Sequence, residues 1–131
     1  MFEKPAPRPR KGATDLEAIE LCADWMRYLG ATDTVVANPA NSVPCDLYSS
    51  RNLGWVDNRS VNVPQSFVSD AVKVSTQDGR VGLIFFRYGF DPYAQQIATS
   101  HGIALISFTP ESGDLHGLNQ LGRNICAHGF G

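Results

Sequence analysis

The sequence contains few cysteines and histidines, and this scarcity argues against two kinds of structural site. Its three cysteines, Cys22, Cys45 and Cys126, are an odd number without paired spacing. Such a set predicts neither a disulfide framework nor a zinc knuckle. His128 lies near Cys126, but the other two histidines have no cysteine near them. We therefore expect no structural zinc.

Long apolar stretches are also missing. The longest, VGLIFF (residues 81–86), is far shorter than the roughly 20 residues that a helix needs to cross a bilayer. The N-terminal MFEKPAPRPRKG has neither an apolar core nor a cleavage site, so no secretory signal is predicted. These features favour a cytoplasmic protein without a membrane partner. At 131 residues, the chain is expected to form one domain.

Basic charge is scarce outside the N-terminus. Residues 1–12 have a net charge of +3, whereas the remaining 119 residues hold 7 basic and 12 acidic side chains. We predict a flexible, basic, proline-rich arm over residues 1–13 and a single domain over residues 14–131. The cations of the arm are candidate nucleic-acid contacts, although a basic terminus is more often simply solvated. They are Lys4, Arg8, Arg10 and Lys11.

The periodicity of apolar residues predicts alternating helices and strands. Helices are expected over residues 14–29, 64–79, 91–102 and 118–125. Strands are expected at 34–37, 45–49, 55–56, 59–63, 80–86 and 103–108, with Asp-Asn-Arg as a turn after Val56. Because the last strands alternate with helices, this order indicates an α/β fold with a mixed sheet between helices.

Four segments together resemble the Mrr-like restriction endonuclease domain, a member of the PD-(D/E)xK nuclease fold. They are ADWMRYLGA, CDLYSS, SVNV and VGLIFFRYGFDPYAQQIATSHGIALISF, and the resemblance covers residues 15–125. It implies a restriction-endonuclease-like three-layer sandwich, with a mixed central sheet flanked by helices. It also implies a site in which carboxylates hold Mg²⁺, a cation that prefers oxygen ligands.

The resemblance assigns Asp46 to the metal-binding aspartate of that family. The alternative is a strand-end aspartate that faces solvent or accepts a hydrogen bond from a backbone amide. Glu20 is the better candidate for the family's helix glutamate, because Glu17 is explained by a capping box with Thr14. Glu20 also belongs to a polar helix stripe, which is usually just a solvated face.

The family's Gln-x-Lys corresponds in this interpretation to Asn62-Val63-Pro64. Asn62 can replace the glutamine as an oxygen donor, but Pro64 has neither the charge nor the donor of lysine. Lys73 on the following helix is a possible substitute, although it is more simply a solvent-facing residue. Arg59 is expected on the opposite strand face from Asn62.

The sequence thus predicts a degenerate Mrr-like domain that does not cleave and acts as a binding or regulatory module. Its expected partner is a protein or DNA, with a homodimer as a further option, and it needs no cofactor. The alternative is an active Mg²⁺-dependent DNA endonuclease of restriction or defence, with a relocated lysine. Arg87 and Tyr88 end a buried strand where α/β sheets often bind ligands, although an ordinary loop is the simpler interpretation.

Overall fold

The computed structural model describes residue 7, residues 14–38 and residues 44–130. The helices are α1 (Asp15–Tyr28), α2 (Gln65–Asp78), α3 (Pro92–Ser100) and α4 (Gln120–His128). The strands are β1 (Val35–Val36), β2 (Leu47–Tyr48), β3 (Asn52–Asp57), β4 (Asn62–Val63), β5 (Val81–Phe86), β6 (Gly89–Phe90), β7 (Ala104–Thr109) and β8 (Asp114–Gly117). The four cations of the predicted arm lie outside the described residues.

Six strands form one mixed sheet in the order β1-β2-β3-β5-β7-β8. Its centre is parallel, because β5 pairs in parallel with both β3 and β7. β1, β2 and β3 form an antiparallel series, and β8 adds antiparallel to β7 at the other edge. From Gly82 to Phe86, every residue of β5 is buried, as expected for a parallel strand covered on both faces.

Two apolar clusters cover the two faces of this sheet. One joins α1 to the sheet through Leu21, Cys22, Met26, Leu83 and Phe85, with Ile125 of α4 packed against it. The other joins α2 and α3 to the opposite face and includes, among others, Trp55, Val68, Ala71, Ile84 and Ala98. This arrangement confirms the α/β class and the mixed sheet, and it is compatible with three layers.

Local sequence signals set the helix ends. Thr14 and Glu17 form the predicted capping box at the start of α1. The Asp91 side chain accepts a hydrogen bond from the Ala94 amide, and Pro92 occupies the first turn of α3. Asn119 caps α4 in the same way, through the Gly122 amide.

The strands differ from the prediction in several places. The expected short strand at 55–56 is part of the six-residue strand β3, which continues through Asp57 of the supposed turn. The expected strand at 59–63 is reduced to β4, which pairs with β6 in a separate two-stranded sheet. Strand β8 was not predicted, because its DLHG sequence lacks an apolar pattern. None of the helices in the described part of the chain is long and apolar enough to cross a membrane.

Two glycines allow α4 to approach the sheet closely. A Cβ atom on Gly122 would clash with the carbonyl oxygen of Leu105 in β7. A Cβ atom on Gly117 would clash with the backbone of α4 at Gly122 and Arg123. Because these neighbours are backbone atoms, a rotamer change cannot relieve the overlap.

We therefore expect Gly122→Ala to lower the free energy of unfolding by about 2–3 kcal/mol, because α4 must shift away from β7. Urea denaturation followed by circular dichroism measures this change. The control is Asn124→Ala, an exposed position on the same helix, where a change within about 0.5 kcal/mol is expected. Equal stability of the two variants would contradict the steric argument.

Candidate functional site

Polar side chains collect where the central parallel strands end. Asp57 closes β3 and is paired in register with Phe86, which closes β5. Because parallel strands end at the same edge of a sheet, the residues that follow them come together there. We call this group the carboxyl edge: Asp15, Asp46, Asp57, Asn58, Arg59, Arg87 and Glu111.

Asp46 lies just before β2 and is held by the backbone of two neighbouring segments. Its amide donates to the Gly54 carbonyl at 2.9 Å, and its carbonyl accepts from the Ala37 amide at 2.9 Å. Its carboxylate oxygen Oδ2 accepts a hydrogen bond from the Val56 amide at 2.7 Å. The side chain therefore takes the place of a backbone acceptor where the pairing of β2 with β3 begins. This is the structural alternative considered for Asp46 in the sequence.

The surroundings of Asp46 oppose its ionisation. Burial raises the pKa of its carboxyl group, and the nearby charges of Asp15 and Asp57 raise it further. The hydrogen bond from Val56 acts in the opposite direction but does not outweigh them. In turn, the Asp46 charge adds to the effect of burial in raising the pKa of Cys22 on α1. Asp46 thus acts electrostatically on the α1 side of the sheet.

Asp57 and Arg59 form a two-pronged ion pair. Arg59 Nε and Nη2 each donate to a different oxygen of Asp57, both at 2.8 Å. The Arg59 amide also donates to Asp57 Oδ1 at 3.1 Å. The Asp57 side chain is only 2% exposed, whereas that of Arg59 is 56% exposed. A buried carboxylate is therefore neutralised by a guanidinium that solvent and ligands can reach. This pairing raises the pKa of Arg59.

A series of hydrogen bonds connects the same edge to α1 and to the turn before β8. Asn58 donates to Asp15 Oδ1 at 3.2 Å and accepts from Arg87 Nη1 at 3.4 Å. Arg87 also donates through Nη2 to Glu111 Oε1, and its amide donates to the Asp57 carbonyl at 3.1 Å. The ends of β3 and β5 are thereby tied to two other segments.

The structure corrects the partner strand expected for Asp46. Its own segment leads into β2, and β2 pairs with β3. Asn62 instead lies on β4, opposite Gly89 of β6. The Asn62 side-chain oxygen is so close to Gly89 that a Cβ atom there would clash with it. Pro64 is the N-terminal cap position of α2 and makes no side-chain hydrogen bond to that helix. The segment 62–64 therefore does not occupy the position of the family's Gln-x-Lys.

Neither Lys73 nor Glu20 is among the charged groups that shift the pKa of Asp46, which are Asp15 and Asp57. Lys73 lies on α2 and lines a groove of about 410 Å³ together with Pro44, Trp55 and Phe67. Glu20 is exposed on α1, and the carboxylate of that helix that reaches the edge is Asp15.

Sequence reasoning missed Asp15 and Asp57. The composition of Asp-Asn-Arg at 57–59 predicts a turn, because aspartate and asparagine are common in turns. The signal that it carries is its position directly after the apolar Leu53-Gly54-Trp55-Val56. An Asp-x-Arg at the end of a strand has the spacing of (D/E)xK, with arginine in place of lysine. The sequence does not indicate that Asp15 reaches the edge, because an acidic residue in the first turn of a helix is already explained by the helix dipole.

The side chains present do not fit a bound Mg²⁺ ion as they are arranged. Oxygen ligands would have to come from Asp46 and Asp57. One oxygen of Asp46 is bonded to Val56, and both oxygens of Asp57 are bonded to Arg59. Across residues 14–38 and 44–130, no three histidine, cysteine, aspartate or glutamate side chains converge as metal ligands would. A cation at Asp57 would first have to displace Arg59.

Comparisons of this chain with protein-family models, with curated proteins and with solved structures give no match.

The raised pKa of Asp46 gives a stability prediction with a definite sign. Its carboxyl group titrates higher in the folded than in the unfolded chain, so stability is lost as the pH rises from the ordinary value of 3.8 through the folded pKa. Asn at position 46 can still accept from Val56 but cannot ionise. We therefore expect Asp46→Asn to raise the urea midpoint at neutral pH, and the gain to disappear at pH values below 3.8.

Asp57→Asn is the matched comparison for this prediction. It removes the charge from the buried end of the Arg59 pair, so it should lower the free energy of unfolding by about 1–2 kcal/mol. Two identical substitutions at one edge thus change stability in opposite directions at neutral pH. A loss of stability in both variants would show that Asp46 is an ordinary stabilising carboxylate.

Proposed function

We propose that this chain is a restriction-endonuclease-like domain of the Mrr type whose catalytic site has degenerated, and that it acts in the cytoplasm as a nucleic-acid-binding module. One observation carries the loss of catalysis: Asp46 and Asp57, the two aspartates that would have to bind a metal ion, are already bonded within the chain. Asp46 is bonded to the Val56 amide, and Asp57 is bonded to the guanidinium of Arg59. The mixed sheet between helices is compatible with the architecture that the resemblance implies.

The exposed arginine at this edge supports nucleic acid as the ligand. Arg59 reaches solvent while its charge partner is buried, so it can contact a phosphate without leaving Asp57. The acidic net charge of residues 13–131 acts against tight binding. Affinity should therefore be modest and should fall as salt is added. The competing role of a protein-binding module predicts no salt-dependent affinity for DNA.

The second candidate function is a metal-dependent DNA endonuclease. The observation that favours it is the Asp57-Asn58-Arg59 sequence at the end of β3, the strand that pairs with β2. In this version Arg59, rather than Lys73, supplies the positive charge of the family's lysine. A metal ion would require Asp57 and Arg59 to separate.

Incubation of supercoiled plasmid with the protein separates the two functions. Methylated and unmethylated plasmid are each tested with Mg²⁺ and with Mn²⁺, and agarose gels measure nicking. The control is Asp46→Asn, which keeps the Val56 hydrogen bond but cannot bind a cation as a carboxylate would. We expect the wild type to nick no more plasmid than this variant, because its aspartates are already bonded within the chain. Nicking by the wild type that both Asp46→Asn and Arg59→Ala abolish, while Lys73→Ala leaves it intact, would establish the endonuclease instead.

A further inference from the structure

A concave site lies next to the carboxyl edge, one strand further into the sheet. It has a volume of about 300 Å³, and its lining includes Phe86, Tyr88, Phe90, Gln95, Ser107 and His116. We call it the aromatic pocket. Phe86 pairs with Asp57 on one side and with Ser107 on the other, so the pocket begins on the strand adjacent to Asp57. Its volume is at the small end of the range for ligand sites.

The pocket has a rigid aromatic wall and one exposed ring. Phe86 and Phe90 are buried, and their rings meet edge to face with centroids 5.2 Å apart. Tyr88 is 67% exposed although it lines the same site. An exposed tyrosine beside a concave surface has a ring face available for stacking with a planar ligand.

Three hydrogen-bonding side chains line the pocket alongside these rings. Within the described residues, the Gln95 carboxamide and the His116 ring make no hydrogen bond to the rest of the protein. The Ser107 hydroxyl donates to the His116 carbonyl at 3.3 Å, which leaves its oxygen able to accept. An amide, an imidazole and a hydroxyl next to an aromatic wall are complementary to a flat ring with donors and acceptors along its edge.

We propose that the aromatic pocket binds an unpaired nucleobase, held by stacking on Tyr88 and by hydrogen bonds with Gln95, Ser107 and His116. A purely apolar ligand would leave these polar groups without partners, so a nitrogen heterocycle fits better. Arg59 and Arg87 follow the two strands next to the pocket, β3 and β5. Arg87 is paired with Glu111, so the exposed Arg59 is the cation that a phosphate beside the base would contact. This inference specifies the ligand of the proposed binding function and is independent of whether the protein cleaves.

Single-stranded DNA containing 2-aminopurine tests the pocket, because the fluorescence of this base is quenched when it stacks. An otherwise identical strand with abasic sites retains the phosphates and removes the bases. We expect the abasic strand, used as a competitor, to bind about tenfold more weakly than the base-containing strand. Deoxynucleoside monophosphates, used as further competitors, distinguish a free nucleotide from a polymer as the source of the base.

Variants locate the bound base. Tyr88→Ala should weaken binding of the fluorescent strand about tenfold, whereas Tyr88→Phe, which keeps the ring, should bind nearly as well as the wild type. Tyr93→Ala is the matched control, because Tyr93 is 59% exposed on α3 but is not among the pocket-lining residues. His116→Ala should also weaken binding, and His101→Ala, at the end of α3, should not.

The outcomes separate this proposal from the proposed function. Equal affinity for base-containing and abasic DNA, unchanged in Tyr88→Ala, would overturn the proposal of a base in the pocket. It would leave the proposal of phosphate binding at the carboxyl edge intact. Complete absence of binding would overturn both the pocket and the nucleic-acid-binding function. Plasmid nicking combined with Tyr88-dependent binding would overturn only the loss of catalysis.

Discussion

The structure depends on the parallel pairing of β3, β5 and β7. Parallel strands must be covered on both faces, and this requirement places α1 and α4 on one side and α2 and α3 on the other. The same pairing aligns the ends of the strands, so Asp57, Arg87 and Ser107 reach one edge together. A polar edge in a mostly apolar sheet is thus a direct result of strand direction. The carboxyl edge and the aromatic pocket are two parts of it.

The carboxyl edge contains one carboxylate whose charge is neutralised and another whose ionisation is unfavourable. Asp57 is buried with Arg59, and the exposed end of that pair is positive. Among the described residues, the charges that shift the pKa of Asp46 are both acidic, and its carboxylate instead supports the backbone of β3 through Val56. Burial and two neighbouring acids make its charge costly. Perturbed carboxylates are frequent at binding and catalytic positions and also occur in structural networks. The hydrogen bond to the Val56 amide gives Asp46 a structural function.

Much of the fold could be predicted from the sequence, because its signals are local. The capping box of Thr14, the Asp91-Pro92 start of α3 and the continuous apolar sequence of β5 each act over a few residues. The site could not be predicted so well, because it depends on which strands pair. Asn62 and Asp57 are both near strand ends in the sequence, but of their two strands, β4 and β3, only β3 lies beside β2. No spacing rule distinguishes them, since pairing is decided by the whole sheet.

The hydrogen bond between Asp46 and Val56 has a consequence for any ligand of this edge. The Oδ2 atom of this carboxylate is held by the Val56 amide, so a ligand that displaced this hydrogen bond would free the amide at the β2–β3 junction. The freed amide would then exchange with solvent. A ligand of Asp46 would thus open the sheet locally and a ligand of Arg59 alone would not, and the Val56 amide proton distinguishes the two.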